Sequence, residues 1–97
     1  MRVFSKRTIR DFAQLYSDSR SALFAWYKIM DQNCFDNFST LKAAFPSVDK
    51  CGTCFIFNIG GNKYRLIAKI NFEYQKLYIR NILTHKDYDK GGWKNEC

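Results

Sequence analysis

Ninety-seven residues, 46% of them hydrophobic and 18% aromatic, suffice for one domain with a single modest core and are too apolar for a disordered tail. Sixteen Lys and Arg against nine Asp and Glu leave a net charge of +7, which favours a polyanionic partner, nucleic acid first. The basic start Met1-Arg2-Val3-Phe4-Ser5-Lys6-Arg7 is not followed by an uninterrupted apolar run, so neither a signal peptide nor a membrane span is expected, and the expected compartment is the cytoplasm.

Val3 and Phe4 suit a short strand, and Ser5 offers a hydroxyl to cap the helix after it. Ile9, Phe12, Ala13 and Tyr16 fall at i, i+3, i+4 and i+7, which predicts an amphipathic helix over about residues 6 to 17. Ser17-Asp18-Ser19 interrupts it and supplies a second cap. Leu23, Trp26, Tyr27 and Met30 repeat the spacing, widened by Ala22 and Ile29, so a second helix runs to about Gln32. The two form a helical hairpin whose aromatic stripe is core. Asn33 to Asn37 reads as loop, Ser39 caps a short turn carrying Leu41 and Ala44, and Pro46 closes it by restricting Phe45. Residues 46 to 52 are the expected mobile connection.

The cysteines are Cys34, Cys51, Cys54 and Cys97. Without a secretory signal they are expected to be reduced, partly buried thiols. Cys51-Gly-Thr-Cys54 runs into a strand instead of opening a helix, the wrong order for a thioredoxin-like redox pair. A zinc site would need two more ligands, and Cys34, His85 and Cys97 have no second paired spacing, so no metal is expected.

From Phe55 the hydrophobic period changes from 3.6 to 2. Phe55 to Ile59 is a strand, Gly60-Gly61 a hairpin turn supplying positive φ, and Tyr64 to Phe72 the partner strand. A two-residue loop pairs Phe55 with Leu66 and Phe57 with Tyr64 on the core side, and Asn58 with Lys63 and Ile56 with Arg65 on the other. A second turn at Tyr74-Gln75 pairs Glu73 with Lys76, hence Asn71 with Tyr78, Lys69 with Arg80, Ile67 with Ile82 and Arg65 with Thr84. One face of the sheet then collects Lys63, Arg65, Lys69, Tyr78 and Arg80, and the other Leu66, Ala68, Ile70, Leu77, Ile79 and Leu83. Lys63, Arg65, Lys69, Lys76, Arg80 and Lys86 meet one anion, Glu73, over this stretch. Such crowding is unfavourable unless an anion sits among them.

After Thr84 the alternation stops, and His85-Lys86-Asp87-Tyr88-Asp89-Lys90 is one helical turn ended by Gly91-Gly92. It sets the chain's single histidine beside a phenol, two carboxylates and two ammonium groups, a mixture able to move a proton and hold a phosphate. Trp93 either folds back on the body or belongs to a loose tail.

Three runs in order, Phe57-Asn58-Ile59-Gly60-Gly61-Asn62-Lys63-Tyr64-Arg65-Leu66-Ile67, Tyr78-Ile79-Arg80 and Thr84 to Lys90, closely resemble the HigB family of bacterial toxins within the RelE superfamily. Leu41 to Ser47 is also similar to that family, and the likeness extends over nearly the whole chain, weakest before residue 35 and after residue 91. The resemblance implies a single RelE-like α+β domain over residues 1–97, with an N-terminal strand and two-helix hairpin packed on a mostly antiparallel sheet. It also implies a ribosome-dependent endoribonuclease that cuts mRNA in the decoding site and is inhibited by a HigA-type antitoxin. Operator DNA is expected to be bound only through the antitoxin complex.

Metal-free RNA cleavage needs a deprotonated 2′-hydroxyl, a stabilised phosphate and a protonated leaving oxygen. Arg65, Lys69 and Arg80 are the candidates for the phosphate charge. His85 is the candidate for proton transfer, as acid or base, because an imidazole exchanges protons near neutral pH. Tyr88 could donate a hydrogen bond, stack on a base or share the proton work. Lys63, Tyr78, Lys86 and Asp87 are the candidate RNA contacts, and Asp89 could cap the turn or pair with Lys86 or Lys90. No cofactor is implied, and the product is expected to carry a 2′,3′-cyclic phosphate. The rival readings are a same-fold toxin acting on a protein such as a topoisomerase, a thiol redox protein using Cys51 and Cys54, and a non-catalytic basic RNA-binding module. The last would use Phe55, Phe57 and Tyr64, which the register places on the core side.

Overall fold

A computed structural model describes every residue from Met1 to Cys97. Strand β1 (Arg2–Phe4) leads into helix α1 (Lys6–Leu15), a 3₁₀ turn (Ser17–Ser19) and helix α2 (Arg20–Gln32). Helix α3 (Phe38–Ala44) precedes β2 (Asp49–Cys51), β3 (Cys54–Ile59), β4 (Tyr64–Asn71) and β5 (Lys76–Thr84). A short helix α4 (His85–Asp89) and a 3₁₀ segment (Gly92–Glu96) end the chain. The five strands form one sheet in the order β1-β5-β4-β3-β2, antiparallel throughout except for the parallel β1–β5 pair. This is the α+β arrangement expected, and no helix is long and apolar enough to cross a membrane.

The helical hairpin forms where the 3.6-residue period places it. Helix α1 buries Ile9 and Ala13, α2 buries Leu23, Trp26 and Met30, and both lie on the sheet face carrying Phe57, Leu66, Ala68 and Leu77. Trp26 and Phe45 each meet the ring of Phe57 edge-on, at 5.3 Å between centroids. Truncating a fully buried leucine here, such as Leu66 or Leu41, leaves a cavity costing about 2–5 kcal/mol.

Several local expectations are corrected. Neither Ser5 nor Ser19 caps a helix through its side chain, and Ser19 Oγ instead donates to the carbonyl of Tyr16 at 2.6 Å. Helix α3 is capped two residues before Ser39, by Asn37, whose Oδ1 accepts from the Thr40 amide while Thr40 Oγ1 accepts from the Asn37 amide. The expected mobile connection holds an edge strand, β2, whose Cys51 pairs with Cys54 across a turn with Gly52 at φ +58°. A side chain at Gly52 would collide with the backbone of Cys97, so close approach as well as backbone geometry calls for glycine there.

The β3–β4 loop holds four residues, Gly60 to Lys63, and pairs Phe57 with Leu66 and Asn58 with Arg65. That register lies two residues from the predicted one. A shift of two leaves every side chain on its predicted face, so Phe55, Phe57 and Tyr64 still point into the core. The β4–β5 pairing departs more. Asn71 faces Lys76 and Lys69 faces Tyr78, but beyond Ala68–Ile79 the ladder shifts and Ile67 meets Asn81, leaving Arg80 as an unpaired bulge residue. The bulge exchanges faces for the end of β5, so Ile82 joins the main core and Leu83 packs on the opposite side.

That opposite side carries a second, smaller apolar cluster of Cys54, Ile56, Ile67 and Trp93. Trp93 therefore folds back and is only 7% exposed, its Nε1 donating to the carbonyl of Tyr88 at 3.0 Å. Cys97 is disulfide-bonded to Cys54, which corrects the expectation of reduced thiols, whereas Cys34 and Cys51 are free. The pairing joins residues 43 apart in sequence that the final 3₁₀ turn brings together.

Candidate active site and nucleic-acid face

The site lies on the sheet face away from the helices, where β4, the end of β5 and α4 converge. Thr84 caps α4 by accepting from the Asp87 amide at 3.2 Å, and the His85 amide donates to the carbonyl of Lys63 at 3.0 Å. These two bonds fix the short helix against the start of β4, although five residues alone hold no stable helix in water. Gly91, at φ +75°, ends it in the left-handed conformation.

His85 is half exposed, and its Nδ1 lies 2.9 Å from Asp89 Oδ2, one turn further on. The carboxylate lies beside the ring without a hydrogen bond to it, and Nε2 has no partner within the chain. Asp89 is thus committed to His85, and Lys90 pairs instead with Asp87 at 3.6 Å. The i,i+4 spacing of His85 and Asp89 is visible in the sequence and would have identified the pair.

Arg65 is 9% exposed, yet no carboxylate pairs with it. Its guanidinium donates to the carbonyl of Tyr64 at 3.2 Å and to Asn62 Oδ1 at 3.4 Å, and its Cζ lies 5.2 Å from the centre of the Tyr88 ring. Tyr88 in turn stacks on Trp93, with centroids 5.0 Å apart and planes within 11°. Cation, phenol and indole thus form consecutive layers, and His85 stands one turn from Tyr88. A guanidinium largely withdrawn from water without a counter-ion is costly, and an anionic ligand would supply the missing charge.

Arg80 leaves the ladder at the bulge and reaches Glu96 of the last turn, Nε to Oε2 3.4 Å. Lys69 and Lys86 form no ion pair, and Tyr78 is 42% exposed beside Lys69. Lys63 does not join this face. Its ammonium turns to Asp18 of the helical connection at 3.3 Å, and the Tyr64 hydroxyl donates to the same carboxylate at 2.5 Å. The hydrogen bond from Tyr64, helped by Lys63, holds Asp18 below the usual carboxylate range, and the same bond pushes the Tyr64 phenol up to about 12. Lys63 acts here through its backbone, as the acceptor for His85.

A cleft of about 340 Å³ opens beside α4, with Asn81, Asp87, Lys90 and Glu96 around it and Leu83 and Trp93 as apolar walls. Trp93, Glu96 and Asn62 were not anticipated as parts of this region, because each arrives through a loop or tail that hydrophobic periodicity does not describe.

Residues 19–91 match the family described as HigB_toxin, RelE-like toxic component of a toxin-antitoxin system. The chain belongs to the HigB toxin family. Across 92 residues this HigB-family chain is 36% identical to the mRNA interferase toxin HigB of Escherichia coli K12 and to the mRNA interferase HigB of Shigella flexneri, covering 92% of the chain and 88% of each relative. The mRNA interferase HigB of Escherichia coli O6:H1 is 29% identical over 93 residues, or 93% of the chain and 90% of the relative. The resemblance drawn from the hairpin and the Thr84 to Lys90 run is thereby borne out.

Proposed function

We propose that this HigB-family chain is an endoribonuclease that cuts mRNA on translating ribosomes in the cytoplasm and is held inactive by an antitoxin of the HigA type. The reading is carried by Arg65, a buried guanidinium without a counter-ion layered on Tyr88 within a turn of His85. The relatives' names as mRNA interferases support the substrate.

The scissile phosphate sits against Arg65, with Arg80 and Lys69 adding positive charge from the same sheet face. His85, with Asp89 beside it, takes the proton of the 2′-hydroxyl on Nε2. The 2′-oxygen bonds to phosphorus as the bond to the 5′-oxygen breaks, leaving a 2′,3′-cyclic phosphate and a 5′-hydroxyl. Tyr88 holds or protonates the departing oxygen, because its hydroxyl makes no hydrogen bond within the chain. Lys86 and Tyr78 contact flanking nucleotides, and Asp87, paired with Lys90, shapes the cleft wall. All these steps use groups of the chain itself, with no cofactor.

The test is a defined mRNA in a translating extract, with the end groups of the fragments determined. Wild-type protein should leave 2′,3′-cyclic phosphate ends, only while ribosomes move, and a 2′-deoxy nucleotide at the cut position should block that cut. Uncut mRNA, or cuts bearing 3′-hydroxyl ends, would remove this mechanism.

A further inference from the structure

A second layered arrangement of the same kind lies at the far end of the face, and the mechanism uses of it only Tyr78, as a contact for flanking nucleotides. Phe4 of β1 and Tyr78 of β5 are register partners whose rings stack with centroids 5.2 Å apart and planes within 14°. The Arg2 guanidinium lies 4.9 Å from the centre of the Phe4 ring. The residues between them, Val3 and Leu77, are core, so Arg2, Phe4 and Tyr78 all project to the side away from the helices. Phe4 stacks on Tyr78, and Tyr78 nevertheless remains 42% exposed. Lys76 faces Arg2, Lys69 faces Tyr78, and none of these cations pairs with a carboxylate.

We infer, resting on the endoribonuclease reading, that the Arg2–Phe4–Tyr78 stack is a second nucleotide subsite, where a base of single-stranded RNA stacks on the exposed part of Tyr78 and its phosphate meets Lys76. A flat π-surface continues a parallel stack as no aliphatic side chain can, and every nucleobase presents one beside an anionic phosphate. From Lys69, opposite Tyr78, to Arg65 is four residues along one strand, about 13 Å at about 3.3 Å per residue. A few nucleotides span that gap, so one strand can occupy both stacks with Arg80 between them. The subsite fixes the register of mRNA relative to the cut and is independent of base identity.

The experiment measures fluorescence anisotropy of a labelled 2′-O-methyl RNA decamer, which the protein cannot cut, with one abasic position moved along it. Wild-type protein should show a position, apart from that at the cleavage stack, where loss of the base weakens binding by about fivefold to a hundredfold, the range for one base–aromatic contact. Tyr78→Leu should weaken the intact decamer to the same extent and become indifferent to that abasic position, whereas Tyr78→Phe should bind as wild type. A flat abasic profile, or a Tyr78→Leu protein that binds like wild type, overturns the subsite. If mRNA is still cut in the translating extract in that case, the endoribonuclease reading stands without it. Tyr78→Leu that binds RNA normally but escapes its antitoxin would assign the face to the antitoxin and overturn the proposal equally.

Discussion

Arg65→Met separates a residue kept for its ligand from one kept for the fold. Methionine is of similar length and carries no charge, so it can fill the space over Tyr88. The substitution gives up two long hydrogen bonds, at 3.2 Å to Tyr64 and 3.4 Å to Asn62. Bonds from a charged donor are worth about 1.5–3 kcal/mol each at good geometry, and these fall at or below the low end. Against that loss, the variant no longer withdraws an unpaired guanidinium from water, a desolvation cost on the order of several kcal/mol for a buried ion. The two effects nearly cancel, so the variant should lie within about 1 kcal/mol of wild type, a change in Tm below about 8 °C. Cleavage should nevertheless fall by about 10²–10³, as when a transition-state donor is removed. Urea unfolding, with Leu66→Ala as a control for a true core residue at about 2–5 kcal/mol, supplies the stability half of the assay. Cutting in a translating extract supplies the other. If Arg65→Met unfolds as readily as Leu66→Ala, the guanidinium is a structural element and the inference from its unpaired charge fails.

The Asp18–Tyr64 bond predicts stability losses at both ends of the pH scale. Asp18 is depressed, so its contribution is present above about pH 4 and disappears as pH falls further, while Tyr64, raised to about 12, contributes below about pH 10 and loses that contribution as pH climbs through its folded value. The stability difference between wild type and Asp18→Asn should therefore be flat from about pH 5 to 9 and shrink outside it; a difference unchanged at pH 3 and pH 11 refutes the bond. Tyr88→Phe keeps the stack on Trp93 and should leave the melting temperature unchanged while slowing cleavage; equal cleavage rates for Tyr88→Phe and wild type would free the hydroxyl of any role. Opening the Cys54–Cys97 bond, which closes 43 residues of chain, should cost up to about 4 kcal/mol in urea unfolding, and a Cys97→Ser protein should not respond to reductant; equal stability with and without reductant would contradict it.

The helices were legible because their signal is local: Ile9, Ala13, Leu23, Trp26 and Met30 lie on the buried face that a 3.6-residue period demands. The faces of β3 and β4 were legible for the same reason, even though the loop was miscounted, because alternation has a period of two and tolerates an error of two. What alternation cannot register is an extra residue. Arg80 carries no mark of being unpaired, so Ile82 and Leu83 were assigned to each other's sides. The nearness of the candidate residues Arg65, Tyr88 and His85 was legible because β4 and the turn after β5 adjoin, but the direction of Lys63 depended on Asp18, 45 residues away. Trp93, Glu96 and the Cys54–Cys97 pairing depended likewise on long-range closure of the tail. β2 was missed because Asp49 and Lys50 are exposed edge residues with no apolar alternation to announce them.

On the proposed function, this chain arrests growth by cleaving RNA at the His85–Arg65 site. The most direct test is induction in growing cells of wild-type protein beside His85→Ala, with both proteins shown to be folded and equally abundant, and with growth and transcript integrity followed together. Wild type should stop growth and fragment transcripts within their translated regions, blocking translation should prevent the fragmentation, and His85→Ala should do neither. Arrested growth with intact transcripts, or fragmentation undiminished in His85→Ala, would contradict the proposed function.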